Sequence, residues 1–230
     1  MKRILLLISF CLATVAAGKA QELTLEYNLG YGTFRMSDLK DVMAEVNPPL
    51  TYLKLTDNFP AHFTHQAKVG YAFNPTHQAG IALDLMNTVG NKGVADYSGS
   101  YDFTLRTKGI RLGGYYRFFM TSKANRIRPY GQLTAGVVFN NGKMSEELRI
   151  GGLSVGDDHF SMKGLNTFVE PAIGCQIRLW EGLALNINAG YELDLTKKFN
   201  ETPKRFPDMH PDWSGFRVQG GLIYYLPLHK

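Results

Sequence analysis

Near its carboxyl terminus the chain contains GFRVQGGLIYYL, residues 215–226, in which two kinds of side chain alternate. Phe216 and Leu222 fall on one face of this segment, whereas Arg217 and Gln219 fall on the other. A period of two residues predicts a β-strand that has one apolar face. The same alternation recurs in seven earlier segments, so we predict that residues 215–226 form the last of eight strands.

The amino-terminal segment differs from the rest of the chain. Lys2 and Arg3 precede an apolar run over residues 4–17. This pattern predicts a cleavable export signal, which we assign to residues 1–20, and it leaves one domain over residues 21–230. The run is shorter than the roughly 20 residues of a transmembrane helix. No later segment reaches that length without charges, so a membrane-spanning form of this chain has to be a closed β-barrel.

The cysteine content argues against a disulfide-stabilised protein, and the net charge argues against a nucleic-acid-binding one. Cys175 is the only cysteine after the predicted export signal, so the exported chain has no intramolecular disulfide. The full chain has 25 Lys and Arg residues against 20 Asp and Glu residues. Loss of Lys2, Arg3 and Lys19 with the signal leaves 22 basic residues against 20 acidic ones. This near balance gives no support for a nucleic-acid partner.

The eight predicted strands have about the ten-residue length of a tilted membrane-spanning strand. They cover residues 23–34, 63–73, 80–88, 104–119, 127–140, 167–180, 183–194 and 215–226. One face of each strand is apolar, and the other carries nearly all of the charges. The charged residues predicted to form a polar network in the lumen are Glu26, Lys68, Asp84, Arg111, Arg117, Glu170, Arg178, Glu192 and Arg217.

The alternation alone leaves the direction of the two faces open. A soluble, lipocalin-like barrel would point its apolar face inward, whereas a transmembrane barrel points it outward. Charge is tolerated far better in a lumen than against lipid, which favours the transmembrane orientation. Eight strands also enclose a space that side chains can fill. We therefore predict a closed polar lumen, with a narrow porin-like channel as the alternative.

The predicted connections alternate in length. The short turns are residues 74–77, 121–126 and 181–182, and the long loops are residues 35–62, 89–103, 141–166 and 195–214. Short turns face the periplasm and long loops face outside in outer-membrane barrels. In the first long loop, Leu39, Val42, Met43 and Val46 have helical spacing after Ser37, which predicts a short rim helix.

At the level of the whole chain, this pattern resembles the small eight-stranded outer-membrane barrels labelled porin-like or outer-membrane-protein barrel domains. The resemblance implies an all-β, eight-stranded antiparallel up-and-down transmembrane β-barrel with short periplasmic turns and four long extracellular loops. It also implies an outer membrane of the Gram-negative type. Because these features are patterns rather than a motif, they specify the fold better than the activity. The chain departs from the family by continuing past its last strand to Lys230.

Two groups of residues have the composition of a catalytic or metal-binding site. His159 and Ser161 have the spacing of the His-x-Ser arrangement in lipid A deacylases, which the sequence resembles at these positions, and Glu170 follows as a possible acid. Solvated loop residues are the favoured interpretation, so no catalytic residue is predicted. The second group is a set of alternating residues in the fourth loop that could hold a metal, namely Asp208, His210 and Asp212.

A polar turn-rich loop is the favoured interpretation of the fourth-loop residues, as it is for the pair His62 and His65. We therefore predict no metal and no cofactor. The apolar content of that loop, which includes Trp213, is consistent with packing, contact with lipid or contact with a partner. The expected partners are outer-membrane lipid and an extracellular ligand or protein that contacts the loops. The expected role is structural or interactive, in a monomer.

Overall fold

The computed structural model describes residues 22–45, 54–95, 97–122, 124–151, 153–196 and 209–227. The predicted export signal lies outside these residues. The elements in chain order are β1 Glu22–Gly32, α1 Ser37–Glu45, β2 Lys54–Asn58, β3 His62–Ala72, β4 His77–Ala95, β5 Gly99–Phe119, β6 Ile127–Ile150, β7 Leu153–Trp180, β8 Leu183–Thr196 and β9 Gly215–Pro227. Among the described residues, no helix is both long enough and apolar enough to span a membrane.

Eight of these strands form a closed antiparallel ring in the order β4-β3-β1-β9-β8-β7-β6-β5, with β5 paired back to β4. The first and last strands close the ring, with Leu23 opposite Leu226 and Tyr31 opposite Val218. The short strand β2 lies outside the ring and pairs with the distal end of β4. The predicted eight-stranded antiparallel barrel is confirmed, and β2 is an addition that the sequence did not predict.

The two faces of the barrel have the predicted direction. On β4, Ile81 is 61% exposed, whereas the carboxylate-bearing Asp84 is 1% exposed. The same alternation of exposed apolar and buried polar residues follows β1, β3 and β5. An apolar outer belt around a polar interior is the arrangement of a transmembrane barrel. The inverted, lipocalin-like alternative is therefore wrong for this chain.

The prediction that residues 89–103 and 141–166 are loops was wrong. Strands β4 and β5 have 19 and 21 residues, and β6 and β7 have 24 and 28. These four strands therefore extend well beyond the ten residues expected for a membrane span. The alternation continues into the extension, where Tyr101, Phe103 and Leu105 are buried and Asp102 is exposed. The extension remains β-sheet because its inner face is covered by other parts of the chain.

That covering is a hydrophobic cap above the lumen on the long-loop side. The cap is built from α1, the residues just before it, Phe59 and the segment before β9, which pack on the inner faces of β4 to β7. Its buried apolar members include Phe34, Met36, Leu39, Val42, Met43, Phe59, Met86, Phe103, Leu105, Val138, Met144, Met162, Phe168, Met209 and Trp213. The predicted rim helix is confirmed as α1, with Leu39, Val42 and Met43 buried; Val46 lies outside the described residues.

Specific polar contacts hold the cap on the barrel. Lys92 Nζ on β4 donates to the Met43 carbonyl in the last turn of α1 at 3.1 Å. The carbonyls of the last helical turn lack the intrahelical partners of earlier turns, so this bond stabilises the helix end. Met36 and Phe59 have positive φ values of 45° and 50°. Such values are uncommon for residues other than glycine. Both side chains are fully or almost fully buried in the cap, so packing holds the backbone in these conformations.

The polar lumen as candidate functional site

Arg111 lies at the centre of an ion-pair cluster in the loop-side half of the lumen. Its Nη1 is 2.7 Å from Glu170 Oε2, 3.1 Å from Glu192 Oε2 and 3.5 Å from Asp84 Oδ2. Arg217 shares two of these partners, with Nη2 2.8 Å from Glu192 Oε2 and Nε 3.6 Å from Glu170 Oε2. The cluster joins β4, β5, β7, β8 and β9, so it connects strands on different sides of the ring.

A second cluster surrounds Glu26 closer to the short turns. Glu26 Oε2 is 3.0 Å from Arg117 Nη1, and its Oε1 is 3.4 Å from Lys68 Nζ. Asn186 Nδ2 donates to Glu26 Oε1 at 2.9 Å, and Asn28 Nδ2 donates to the same oxygen at 2.7 Å. A buried carboxylate needs such partners because leaving water without them is very unfavourable.

Strand pairing places the opposite charges beside one another. Glu26 on β1 is the direct cross-strand partner of Lys68 on β3, and Asp84 on β4 is the direct partner of Arg111 on β5. Inward-facing partners in neighbouring strands have their Cβ atoms only about 5 Å apart, so opposite charges there attract. The register of the barrel thus converts separate polar positions into ion pairs.

Aromatic rings pack beside the arginines in the lumen. The Arg117 guanidinium lies 4.2 Å from the centroid of the Tyr130 ring. The Arg111 guanidinium lies 4.1 Å from the centroid of the Phe168 ring. A planar, weakly hydrated guanidinium can stack on an aromatic face while it donates in its own plane. Tyr130 also donates from its hydroxyl to Asn186 Oδ1 at 2.8 Å, which connects the stack to the second cluster.

The structure brings eight of the nine predicted lumen residues into these two clusters. Four acids, Glu26, Asp84, Glu170 and Glu192, face four bases, Lys68, Arg111, Arg117 and Arg217, and each is at most 4% exposed. Arg178 is placed differently. It is half-buried at the short-turn end of β7, where its carbonyl accepts from Arg126 Nε at 3.3 Å. The two clusters therefore contain equal numbers of formal positive and negative charges.

The candidate deacylase residues do not converge on Glu170. His159 and Ser161 lie on the extended part of β7, where both are exposed, rather than in the loop that the sequence suggested. Glu170 lies nine residues further along the strand than Ser161, or about 30 Å at 3.3 Å per residue, and faces the lumen. The carboxylate that pairs with His159 is Asp157, whose Oδ1 is 3.0 Å from His159 Nε2.

The candidate metal ligands of the fourth loop are also separated. Asp208 lies outside the described residues. His210 Nδ1 is 2.9 Å from Asp38 Oδ2 on α1, and Asp212 Oδ1 accepts from the Ser214 amide at 3.1 Å. His65 faces outward on β3 with its Nδ1 bound to the Tyr27 hydroxyl at 2.8 Å. Within the described ranges, no three His, Cys, Asp or Glu side chains are grouped as metal ligands.

Sequence reasoning missed the tryptophan that closes the loop-side end of the lumen. Trp213 is fully buried, and its Nε1 donates to Asn140 Oδ1 at 2.6 Å. Its ring packs edge-to-face against Phe34 with the centroids 5.0 Å apart. The sequence did mark Trp213 as one of the apolar residues of a long loop. Its position above the lumen depends on the chain returning toward β1 before β9 begins.

The closed ring, its apolar outer belt and its filled polar interior define a transmembrane β-barrel of the outer-membrane class. The chain belongs to the family described as outer membrane protein beta-barrel domain, whose profile matches residues 4–220. It is accordingly an outer-membrane protein. A search of curated proteins finds no match to the sequence.

Solved outer-membrane proteins share the fold at low sequence identity. OprG from Pseudomonas aeruginosa has a TM-score of 0.50 and 12% identity, with 92% of this chain and 98% of that chain covered. Neisserial surface protein A has a TM-score of 0.41 and 13% identity, with 88% and 96% covered. Ail, the attachment invasion locus protein of Yersinia pestis, has a TM-score of 0.38 and 15% identity, with 91% and 99% covered. Similarity at these identities concerns the fold alone.

Proposed function

We propose that this protein is a closed, non-conducting outer-membrane barrel whose role is to present an ordered extracellular surface to a partner. The observation that carries the proposal is that two separate groups of buried side chains obstruct the barrel. The ion-pair clusters around Arg111 and Glu26 occupy the lumen, and the cap around Trp213 covers its loop-side end. A solute would have to displace buried ion pairs as well as an apolar cluster in order to pass.

The extracellular sheet supports the interactive part of this role. The β4–β5 and β6–β7 hairpins are joined at their tips, where the Gly151 amide donates to the Ser98 carbonyl at 3.0 Å. Beside this contact, Tyr97 is fully exposed and Leu153 is 74% exposed. Large apolar side chains grouped in water are typical of a surface that meets a partner. An ordered sheet presents them at little cost in conformational entropy on binding.

Conductance in planar bilayers tests the closed barrel against its competitor, a narrow porin-like channel. The purified exported chain is inserted from detergent, and an unrelated open porin is inserted under the same conditions to show that the assay detects channels. We expect the membrane to keep its baseline current. A stable, reproducible open state of the wild-type protein would overturn the proposal and favour the channel.

Protease shaving of intact cells tests the extracellular role. Cleavage near Tyr97 and Leu153 is followed by mass spectrometry with and without each candidate ligand. We expect a true ligand to protect both tips in the wild-type protein and to lose this effect when Tyr97→Ser is combined with Leu153→Ser. A ligand whose binding depends on the protein but leaves the tips equally cleavable would contradict a partner site there.

A further inference from the structure

The outward face formed by strands β4 to β7 changes from apolar to basic at one position along the length of the strands. Strand pairing places Leu85, Ile110, Phe139 and Leu165 in a single row across the four strands. All four side chains are exposed, and the row continues the apolar belt that the barrel presents to lipid. It forms the upper edge of the belt on the side of the extracellular hairpins.

Two rows of basic residues lie directly above this edge. In the first row, Lys108 on β5 and Lys163 on β7 are both paired with Asn141 on the strand between them. In the second row, Arg106 on β5 is paired with Lys143 on β6. All four cations are exposed and point outward. Because successive outward residues on a strand are about 7 Å apart, the four charges cover a small patch.

Nothing in the described ranges neutralises this patch. Each ion pair found there joins residues other than these four cations. The acids on the same outward face form a single row of their own, closer to the hairpin tips. They are Asp102, Glu147 and Asp157. The outward face therefore runs from lipid-facing apolar residues through a basic zone to an acidic rim.

The surface at this boundary is concave. A cavity of about 800 Å³ is lined by Leu85, Ile110, Phe139 and Leu165 from the apolar row and by Lys108 and Lys163 from the basic row. A second cavity of about 450 Å³ lies above it and includes Arg106 and Lys143. Apolar walls below and cations above match an amphipathic ligand with acyl chains and an anionic head.

We propose that this outer face binds a phosphorylated lipid of the outer leaflet, with its phosphates at the four cations and its acyl chains along the apolar row. The lysine stems can lie along the barrel wall while their ammonium groups reach the headgroup level. Each basic residue near an anionic surface adds to the affinity for that surface. Acyl-chain burial adds an apolar contribution that free phosphate lacks. The site is separate from the closed lumen and from the hairpin tips.

Native mass spectrometry of the purified full-length exported chain, released from detergent micelles, tests the proposal. The probes are bisphosphorylated lipid A, the same lipid after enzymatic removal of its phosphates, and inorganic phosphate. The test variants are K108Q with K163Q, and R106Q with K143Q. The matched control, R35Q with R126Q, removes the same charge at two exposed positions outside the patch. Heat-modifiable gel mobility shows that every variant is folded.

We expect bisphosphorylated lipid A to bind the wild-type protein and the control with similar Kd values. The Kd should rise about tenfold or more in each test variant, because each variant loses two charge contacts with the phosphates. The dephosphorylated lipid and inorganic phosphate should bind far more weakly than lipid A.

Three results would overturn the proposal. Equal binding of the dephosphorylated lipid would remove the role of the phosphates. Inorganic phosphate that binds as tightly as lipid A would assign the patch to soluble anions. A lipid-free dimer that is lost only in the two test variants would show that a second copy of the chain covers this face.

Discussion

Arg111 Nη1 on β5 lies 2.7 Å from Glu170 Oε2 on β7, although β6 separates these two strands in the sheet. The contact therefore crosses the curved interior of the barrel instead of following a strand pair. Both side chains are almost entirely buried. Removing one partner of such a pair leaves the other charge buried without compensation, which strongly destabilises the folded state.

Replacing Arg111 with methionine should destabilise the barrel by about 3–5 kcal/mol, because three buried carboxylates would lose their central cation. Urea unfolding in lipid vesicles, followed by heat-modifiable gel mobility, measures the loss. Arg35→Met is the matched control, since the Arg35 side chain is exposed outside both the lumen and the basic patch, and it should leave the midpoint unchanged. Equal midpoints for the wild type and Arg111→Met would contradict a structural role for the cluster.

Replacing Gly70 with valine should also destabilise the barrel, because Gly70 makes room for other side chains in the lumen. A Cβ atom at this position would clash with the Tyr115 hydroxyl and with Gln78 Nε2. Overpacking of this kind typically costs about 1–3 kcal/mol. Gly131→Val is the control, because a Cβ there meets nothing within 4 Å. The same vesicle unfolding assay compares the two variants, and equal loss in both would argue against a tightly packed lumen.

The two tryptophans of the chain should report opposite environments. Trp180 is 64% exposed at the short-turn end of β7, and Trp213 is 0% exposed in the cap. In vesicles of brominated lipid, Trp213→Phe retains only Trp180, whose fluorescence should be strongly quenched. Trp180→Phe retains only Trp213, which both the lipid bromines and aqueous acrylamide should quench weakly. Strong acrylamide quenching of Trp213 would show that the cap is open.

The extended hairpins should behave as sheet in hydrogen exchange. Backbone amides of residues 89–94 and 100–103 lie in paired strands, so we expect them to exchange much more slowly than unpaired amides. Exchange mass spectrometry of the protein in detergent or nanodiscs measures this, with the short turn at residues 181–182 as the internal comparison. Exchange as fast as in that turn would restore the loop assignment of residues 89–103.

The sequence predicted most of the barrel because alternation is a local property. Whether a residue such as Ile81 or Asp84 faces lipid or lumen follows from its parity on the strand, and that parity is visible in the sequence. The lengths of β4 to β7 were underestimated because the predicted strands were limited to the membrane thickness. Arg106 and Lys108 continue the outward parity of Ile110, so the sequence already held the indication that the basic rows face outward.

By itself, the sequence determined the strand class and the number of ring strands, which follow from a two-residue period. It also determined the polar character of the lumen, because one face of each strand carries nearly all of the charges. Only the tertiary structure decided that Arg111 meets Glu170, that Trp213 covers the lumen and that Lys108 and Lys163 share one patch. These relationships depend on ring closure and on strand register, which pair residues that are far apart in the chain. Local periodicity carries no information about that choice of partners.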